Sequence, residues 1–323
     1  MKVFFRTSFV FFLAALLLWY VLRDVPFPLL RSQFRQARLP ALVPVALVLL
    51  LNYVVRTLRW QLALGGLGYG VSFGQAFAAL MAGNLASLVV PGAGELTRCG
   101  ALQRNGGVPL AQGVGSVVAE RAVDLAMTGL LVAAAVGLEA QRLGAYATAA
   151  VLPRLLALAS SPWVAGALLL VGLGVWLWRP ARASAGRWGP LTRFLAGVGQ
   201  GLRSLRAVRR PGRYVAFTVL IFVLALLATY LVFFTSPLFA GLGPGVALSI
   251  LAISSLGGLA VPTQGGIGTY HALVRVVLVQ YELSETTASV MATYLHAVLV
   301  GFILGWTVLG FLYAGWRLGR ATP

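Results

Sequence analysis

The stretch "LASLVVPGAGELTRCGALQRNGG", from Leu85 to Gly107, decides how this chain folds. An apolar run ends at Pro91, passes two glycines, and is followed at once by the charged residues Glu95 and Arg98. Proline ends a helix, and this apolar run stops short of the roughly 20 residues that a bilayer crossing needs. The stretch therefore predicts an interrupted helix with charges directly behind the interruption.

The composition shows why such an interruption matters. Of the 323 residues, 59% are hydrophobic and only 10% are charged, whereas about 25% of the residues of a soluble domain are charged. The fold class that follows is all-α, a polytopic helical membrane protein. The net charge of +18 lies in loops between apolar segments, as the positive-inside rule predicts. Membrane lipids with anionic headgroups are therefore the expected partners, and nucleic acid is not.

Apolar segments of bilayer length give six predicted spans. They lie at about 3–22, 41–64, 113–138, 162–178, 214–240 and 286–315. The first has no small-x-small cleavage site behind it, so we expect it to stay as a membrane helix. Two further segments, 73–90 and 246–261, are apolar but short, and each runs through a proline–glycine break into a short helix. These short helices are predicted at about 95–104 and 269–281.

The topology follows from the basic stretch 179–213, which contains many arginines and no acid, and which we place in the cytoplasm. Counting crossings from it puts both termini inside. The stretch 73–104 must then begin and end inside, and the stretch 241–285 must begin and end outside. The arginine-rich loop 23–40 would then lie outside, against the same rule. The prediction is about six full spans plus two re-entrant helical hairpins in an inverted repeat, with Pro91 matching Pro262. The chain is one domain, 1–323, with a first half 1–178, a basic cytoplasmic linker 179–213 and a second half 214–323.

Helix breaks inside a membrane need a physical reason, because unpaired backbone groups in hydrocarbon are costly. Such backbone survives where it is buried in protein or lines a wet cavity, and paired breaks in two halves indicate a transporter site near the bilayer middle. The helix behind each break directs its first amides at that pocket, which favours an anion such as phosphate. A tight interfacial loop without a ligand is the alternative.

The segment "SVVAERAVDLAMTGLL", Ser116 to Leu131, places three charges in an otherwise apolar span. Glu120 and Asp124 share one helix face, with Arg121 beside them. Each ionised group near the bilayer centre costs at least about 2.5 kcal/mol and needs a partner. The candidate partners are Glu95, Arg98, Arg56 and Arg59. Two interpretations stay open: a salt-bridge network that only holds the hairpins together, and a pocket that binds a zwitterionic or anionic lipid headgroup or relays protons.

The polar residues of the second half are different. They follow the second break or lie in the last span: Gln264, Thr269, Tyr270, His271, Arg275, Tyr294 and His296. For the chain's two histidines, packing and pocket lining both stay open. No P-loop, GxSxG, HExxH or CxxC motif is present, and the lone Cys99 has no visible orienting group. We therefore expect no enzyme activity, no cofactor and no metal.

Several of these motifs resemble the lysylphosphatidylglycerol synthase transmembrane (flippase-like) family. "PGAGELTRCGAL" followed by "GVGSVVAERAVDL", and later "VPTQGGIGTYHALV", are similar to its two signature regions, and "RTLRW" at Arg56–Trp60 is similar to the end of its second span. The resemblance covers about 5–315 and implies a protein of the bacterial cytoplasmic membrane that moves or binds a lipid-linked substrate. The residues carried over by motif are Pro91, Gly92, Gly94, Glu95, Arg98, Glu120, Arg121, Asp124, Pro262, Gly265, Gly266 and Gly268.

The chain departs from the family pattern in two ways. We expect no soluble aminoacyl-transfer domain and therefore no lysyl transfer, and Tyr270-His271 stands where many members carry a glutamate. The predicted function is flippase-like translocation of a phospholipid or a polyprenyl-phosphate-linked lipid through a polar pocket. The alternative is a membrane partner that presents a lipid to a separate transferase or glycosyltransferase; homo-oligomerisation stays open. The predicted substrate-binding residues are Pro91, Gly92, Gly94, Glu95, Arg98, Glu120, Arg121, Asp124, Gln264, Gly265, Gly266, Gly268, Tyr270, His271 and His296.

Overall fold

The computed structural model describes residues 27–90, 92–140, 189–260 and 264–319. Within these ranges the chain forms ten α-helices and two short 3-10 helices and no β-strand, which confirms the all-helical fold class. The α-helices, in chain order, are α1 (Phe27–Arg35), α2 (Leu39–Gly66), α3 (Phe73–Val89), α4 (Ala93–Gly106), α5 (Leu110–Leu138), α6 (Gly189–Arg203), α7 (Pro211–Phe233), α8 (Pro244–Ala260), α9 (Thr269–Val279) and α10 (Glu285–Gly319).

Four of the described helices are long and apolar enough to cross a membrane: α2, α5, α7 and the part Glu285–Tyr313 of α10. At 1.5 Å per residue, the 28 residues of α2 extend about 42 Å, which exceeds the roughly 30 Å of a bilayer's hydrocarbon core. These helices agree with four of the predicted spans. The other two, 3–22 and 162–178, lie outside the described residues, so the count of six stays a prediction.

The predicted span 214–240 ends earlier than the sequence indicated. α7 stops at Phe233, and Ser236 then accepts the Leu238 amide N–H at 3.2 Å to begin a 3-10 helix, Pro237–Phe239. Proline supplies no amide N–H and cannot continue α7, so the helix ends before it although the sequence stays apolar.

Two interrupted hairpins, α3–α4 and α8–α9, lie where the sequence predicts them. α3 begins with a capping box formed by Ser72 and Gln75, and α4 begins directly after Gly92, whose φ of +78° suits glycine. Both helix interruptions are confirmed, although Pro91 and residues 261–263 themselves lie outside the described part of the chain. The re-entrant course of the hairpins in the membrane stays a prediction.

The two halves pack against each other reciprocally. The long helix of the second half, α10, packs on α3, where Gly310 leaves no room for a side chain beside Phe77 and Met81. The long helix of the first half, α5, packs on α8 through Ala135 and Leu248. The helices that precede the hairpins, α2 and α7, pack on each other. This pairing of equivalent helices is what a two-fold-related repeat requires, whereas the inversion of the halves in the membrane stays a prediction.

Helix α2 belongs to two hydrophobic cores. Val45 and Leu49, in its first half, pack into the core formed with α7, α8, α9 and α10. Trp60 and Leu64, near its end, pack into the core formed with α3, α4 and α5. Between the two cores, the Asn52 side-chain amide donates to the Ile221 carbonyl at 2.7 Å and ties α2 to α7.

Part of the predicted linker 179–213 is helical. Within it, α6 packs closely against the start of α5. A side chain on Gly115 would meet the Val198 carbonyl and Gly201, so only glycine permits this approach. Small residues of this kind allow helices to come close, and the Gln112 side-chain amide also donates to Oε1 of Gln200 at 2.7 Å across this contact.

Candidate functional site

Arg59 lies at the centre of a buried ion-pair network. Its side chain extends from α2 and is 0% exposed. Its Nη2 atom lies 2.6 Å from Oε1 of Glu120, and its Nη1 atom lies 2.6 Å from Oδ1 of Asp124. Glu120 and Asp124 lie one turn apart on α5, so a single guanidinium reaches both. Two charge-assisted hydrogen bonds therefore join α2 to α5.

Arg98, on α4, occupies the other side of Glu120. Its Nη2 atom lies 3.0 Å from Oε2 of Glu120, and its Nε atom lies 2.7 Å from Oε2 of Glu95. Glu120 is only 4% exposed and uses one oxygen for each arginine. This one carboxylate therefore connects α2, α4 and α5.

Arg121 closes the network at its outer edge. Its Nη2 atom lies 2.8 Å from Oε1 of Glu95, and its Nη1 atom lies 3.4 Å from Oδ2 of Asp124. The six side chains thus form a closed circuit of alternating charges, which we call the charge ring: Arg59, Glu120, Arg98, Glu95, Arg121 and Asp124. Three cations and three anions make the ring itself neutral as a whole, which lowers the cost of burying its charges.

Aromatic rings and hydroxyls surround the two buried arginines. The guanidinium of Arg98 lies 4.9 Å from the centre of the Trp60 ring, and that of Arg59 lies 5.8 Å from the centre of the Tyr214 ring. The Trp60 indole N–H donates to the Ser116 hydroxyl at 3.2 Å. These cation–π contacts add attraction to both guanidinium groups on faces where no carboxylate lies.

The turn between α3 and α4, which we call the first turn, is closely packed next to the charge ring. Gly94 lies directly against the backbone of Gly83 on α3, and a side chain there would also meet the Ser87 hydroxyl. A side chain on Gly83 would meet the carbonyl of Gly94 and the Cβ of Arg98 in turn. The α3–α4 crossing therefore depends on two glycines, and it places Arg98 next to Glu120.

The turn between α8 and α9, which we call the second turn, carries a cluster of imidazole and phenol side chains. Nε2 of His296 lies 2.8 Å from the Gly265 carbonyl, and Nδ1 of His271 accepts the Gly268 amide N–H at 3.3 Å. The two imidazole rings lie 4.6 Å apart, and the Tyr270 ring stacks on His296 at 4.7 Å. We call Tyr270, His271 and His296 the histidine cluster. It stabilises the irregular backbone of the second turn by side-chain hydrogen bonds in place of helical ones.

A cavity of about 260 Å³ adjoins the histidine cluster. Gly265, Tyr270, His296, Ser254 and Thr229 supply its polar lining, and aliphatic side chains of α2, α7, α8 and α10 supply the rest. The Tyr270 hydroxyl is buried and has no hydrogen-bond partner within the described chain. A buried polar atom without a partner is uncommon in folded proteins, and this one belongs to a residue that lines the cavity.

The structure divides the predicted set into two groups. The first contains Glu95, Arg98, Glu120, Arg121 and Asp124, with Gly92 and Gly94 in the turn below them. The second contains His271, His296, Tyr270, Gly265 and Gly268, with Gln264 and Gly266 in the 3-10 helix of the second turn. Pro91 lies outside the described residues. Where the chain is described, no ion pair or hydrogen bond joins the groups.

The central position of Arg59 is absent from the predicted set. The sequence offered Arg56 and Arg59 equally as partners of Glu120 and Asp124, and the rotation of α2 against α5 decides for Arg59. The spacing of Arg56, Arg59 and Trp60 places all three on one side of α2, which is the available signal. Among the described residues, no group of three or more His, Cys, Asp or Glu side chains is arranged to hold a metal ion.

Long apolar helices and two interrupted hairpins with buried polar clusters define the class: this is a multi-pass helical membrane protein. The family model described as "Lysylphosphatidylglycerol synthase TM region" matches residues 7–308, so the chain belongs to that family, as its motifs predicted. Membership makes it a lipid-related membrane protein. No curated protein and no solved structure matches the chain.

Proposed function

We propose that this protein binds the polar headgroup of a membrane lipid between its two halves and moves it across the bilayer, while the acyl or prenyl chains stay in the surrounding lipid. The observation that carries the proposal is the reciprocal pairing of two interrupted hairpins, each with a polar cluster at its turn. Paired interrupted helices of this kind surround the substrate sites of many transporters.

The charge ring supports a headgroup site on its outer side. Glu95 is 39% exposed and Arg121 is 45% exposed, whereas Arg59, Arg98 and Glu120 are buried. A headgroup that carries both charges can pair with Glu95 and Arg121 in turn and leave neither charge unpaired. The buried arginines hold the ring in place during such an exchange, because each has two carboxylate partners.

The second turn supports a separate polar site. The cavity beside Tyr270 and His296 is polar at the turn and aliphatic elsewhere, which suits the boundary between a headgroup and its chains. The unpaired Tyr270 hydroxyl can donate to a phosphate or glycerol oxygen. Two polar sites, one at each turn, give a headgroup two positions within the apolar body.

Leaflet exchange in liposomes tests the proposal. The purified chain is reconstituted with a fluorescent phosphatidylglycerol or a fluorescent polyprenyl phosphate, and a membrane-impermeant quencher reports the outer fraction over time. We expect faster exchange than in protein-free liposomes. Ser254→Leu, which fills the cavity at the second turn, should slow it, and Ser255→Leu, the same change one residue along α8, is the matched control. Exchange no faster than in empty liposomes, for both lipids, contradicts the proposal.

A second function is favoured by the completeness of the charge ring. Every carboxylate in it already binds two arginines, which suits a structural role in a protein that presents a lipid to a separate transferase. In that case the purified chain binds lipid without exchanging it between leaflets. Arg98→Ala then lowers the folded yield, and the fraction that folds binds lipid as the wild type does.

A further inference from the structure

A fourth guanidinium lies beside the charge ring without a carboxylate of its own. Arg56 lies on α2, three residues before Arg59, and its Nε atom donates to Oδ1 of Asn52 at 3.0 Å. It forms no ion pair within the described chain. The ring is close enough to act on it electrostatically, with attraction from Asp124 and repulsion from Arg121.

The charge count explains why Arg56 is left over. Glu120 pairs with Arg59 and Arg98, and Glu95 and Asp124 each pair with two arginines as well. All three carboxylates are therefore occupied before Arg56 is considered. With Arg56 included, four guanidinium groups meet three carboxylates, and the site carries one excess positive charge inside an apolar helix bundle.

The end of the Arg56 side chain is not fully enclosed. The residue is half-buried, and its terminal nitrogens are not among the buried polar atoms that lack a partner, whereas Nε of Arg59 is. The bond from Nε to Asn52 fixes one edge of the guanidinium and leaves the Nη edge free to bind an acceptor. An arginine in a membrane span is costly without a partner, and its planar fork matches the two oxygens of a phosphate.

We infer that Arg56 binds the phosphate of an anionic lipid headgroup, adjacent to the charge ring. The inference rests on the proposed function, since it names the chemical class of the lipid and one residue that selects it. The phosphate supplies the counter-charge that the chain lacks at this point, and the neutral ring beside it does not oppose its approach. A headgroup without a phosphate or another anionic group gains nothing from Arg56.

Binding to the purified full chain tests the inference with three probes: phosphatidylglycerol, diacylglycerol with the same acyl chains, and inorganic phosphate. Bound molecules are counted by native mass spectrometry. We expect Arg56→Gln to weaken phosphatidylglycerol binding by about tenfold, the size of a lost charge-assisted hydrogen bond, and to leave diacylglycerol binding unchanged. Arg56→Lys should restore part of the loss. Arg206→Gln, at an exposed arginine outside the site, is the charge-matched control.

The outcomes separate this inference from the proposed function. Because Arg56 is in no ion pair and is costly in a membrane span, Arg56→Gln should unfold at or above the wild-type temperature, so a loss of binding is not a loss of folding. Equal phosphatidylglycerol binding by wild type and Arg56→Gln overturns the inference, even if leaflet exchange is observed. If Arg56→Gln loses binding of inorganic phosphate but still binds phosphatidylglycerol as the wild type does, the assignment of a lipid to this site is overturned. If Arg56-dependent lipid binding is found without leaflet exchange, the inference stands and translocation fails.

Discussion

The first hairpin and the second hairpin have the same course but opposite chemistry. At the first turn, six charges close into a ring, and Gly94 packs directly on Gly83. At the second turn, the His271 and His296 rings bind backbone atoms, and Tyr270 and His296 line a cavity of about 260 Å³. One hairpin is therefore held by electrostatics and close packing, and the other keeps internal space.

The difference has an energetic meaning. Removing one member of a buried ion pair leaves an uncompensated charge, which costs far more than a lost neutral hydrogen bond. The first hairpin should thus tolerate almost no change in the buried charges of its ring, and the second should tolerate changes that alter its cavity without unfolding the protein. If one hairpin moves during function, we expect it to be the second, because it is held by fewer strong interactions and adjoins a cavity.

The largest expected effect is from Glu120→Gln. This change removes the carboxylate shared by Arg59 and Arg98, both buried, and should lower the free energy of unfolding by about 3–5 kcal/mol. Thermal and denaturant unfolding in detergent measure it. Glu285→Gln is the control, because Glu285 is 75% exposed and lies 3.7 Å from Arg275. Equal unfolding temperatures for the two variants would show that the ring does not hold the hairpin.

The next effect is steric. Gly94→Ala places a methyl group against Gly83 and Ser87 and should cost about 1–3 kcal/mol of unfolding free energy. Gly100→Ala, on the same helix with nothing within 4 Å of the added carbon, should instead stabilise by about 0.5–1 kcal/mol. Effects of the same sign from both substitutions would contradict the close crossing of α3 and α4.

At the second hairpin we expect a smaller change. His296→Phe removes the hydrogen bond to the Gly265 carbonyl and should cost about 1 kcal/mol. Tyr270→Phe removes a hydroxyl without a partner in the described chain and should leave stability unchanged or slightly raised. The second variant tests whether this hydroxyl serves the lipid: under the proposed function it slows leaflet exchange at unchanged unfolding temperature.

The smallest expected loss of stability is from Arg121→Gln at the outer edge of the ring. Arg121 is 45% exposed, and without it Glu95 still pairs with Arg98 and Asp124 still pairs with Arg59. The cost should stay below about 1 kcal/mol and shrink further in high salt, because exposed charges are screened. Unfolding at low and high ionic strength measures it. A cost that matches Glu120→Gln would mean that the ring acts as one indivisible unit.

Much of this architecture is readable from the sequence. The proline–glycine breaks predict both interrupted hairpins to within a few residues, because no tertiary contact is needed to end a helix there. The spacing of Glu120 and Asp124 places them on one face, and the structure has them on one arginine. Local rules suffice for these features.

The remaining features depend on tertiary packing. The choice of Arg59 over Arg56 depends on how α2 is rotated against α5, and no local pattern decides it. The fit of α6 onto α5 depends on Gly115 and Gly201, which are far apart in the chain and meet only after folding. The contact between His271 and His296 likewise requires α9 and α10 to fold against each other.

One consequence of α2 follows from its place in both hydrophobic cores. A single helix of 28 residues runs from one core into the other, so one continuous helix belongs to both halves. A movement that separates the halves would have to bend or unwind α2, which breaks backbone hydrogen bonds in an apolar medium. Twisting and sliding around it require no such loss. The reciprocal contacts of α10 with α3 and of α5 with α8, at small residues such as Gly310 and Ala135, are the surfaces across which such a rotation would take place.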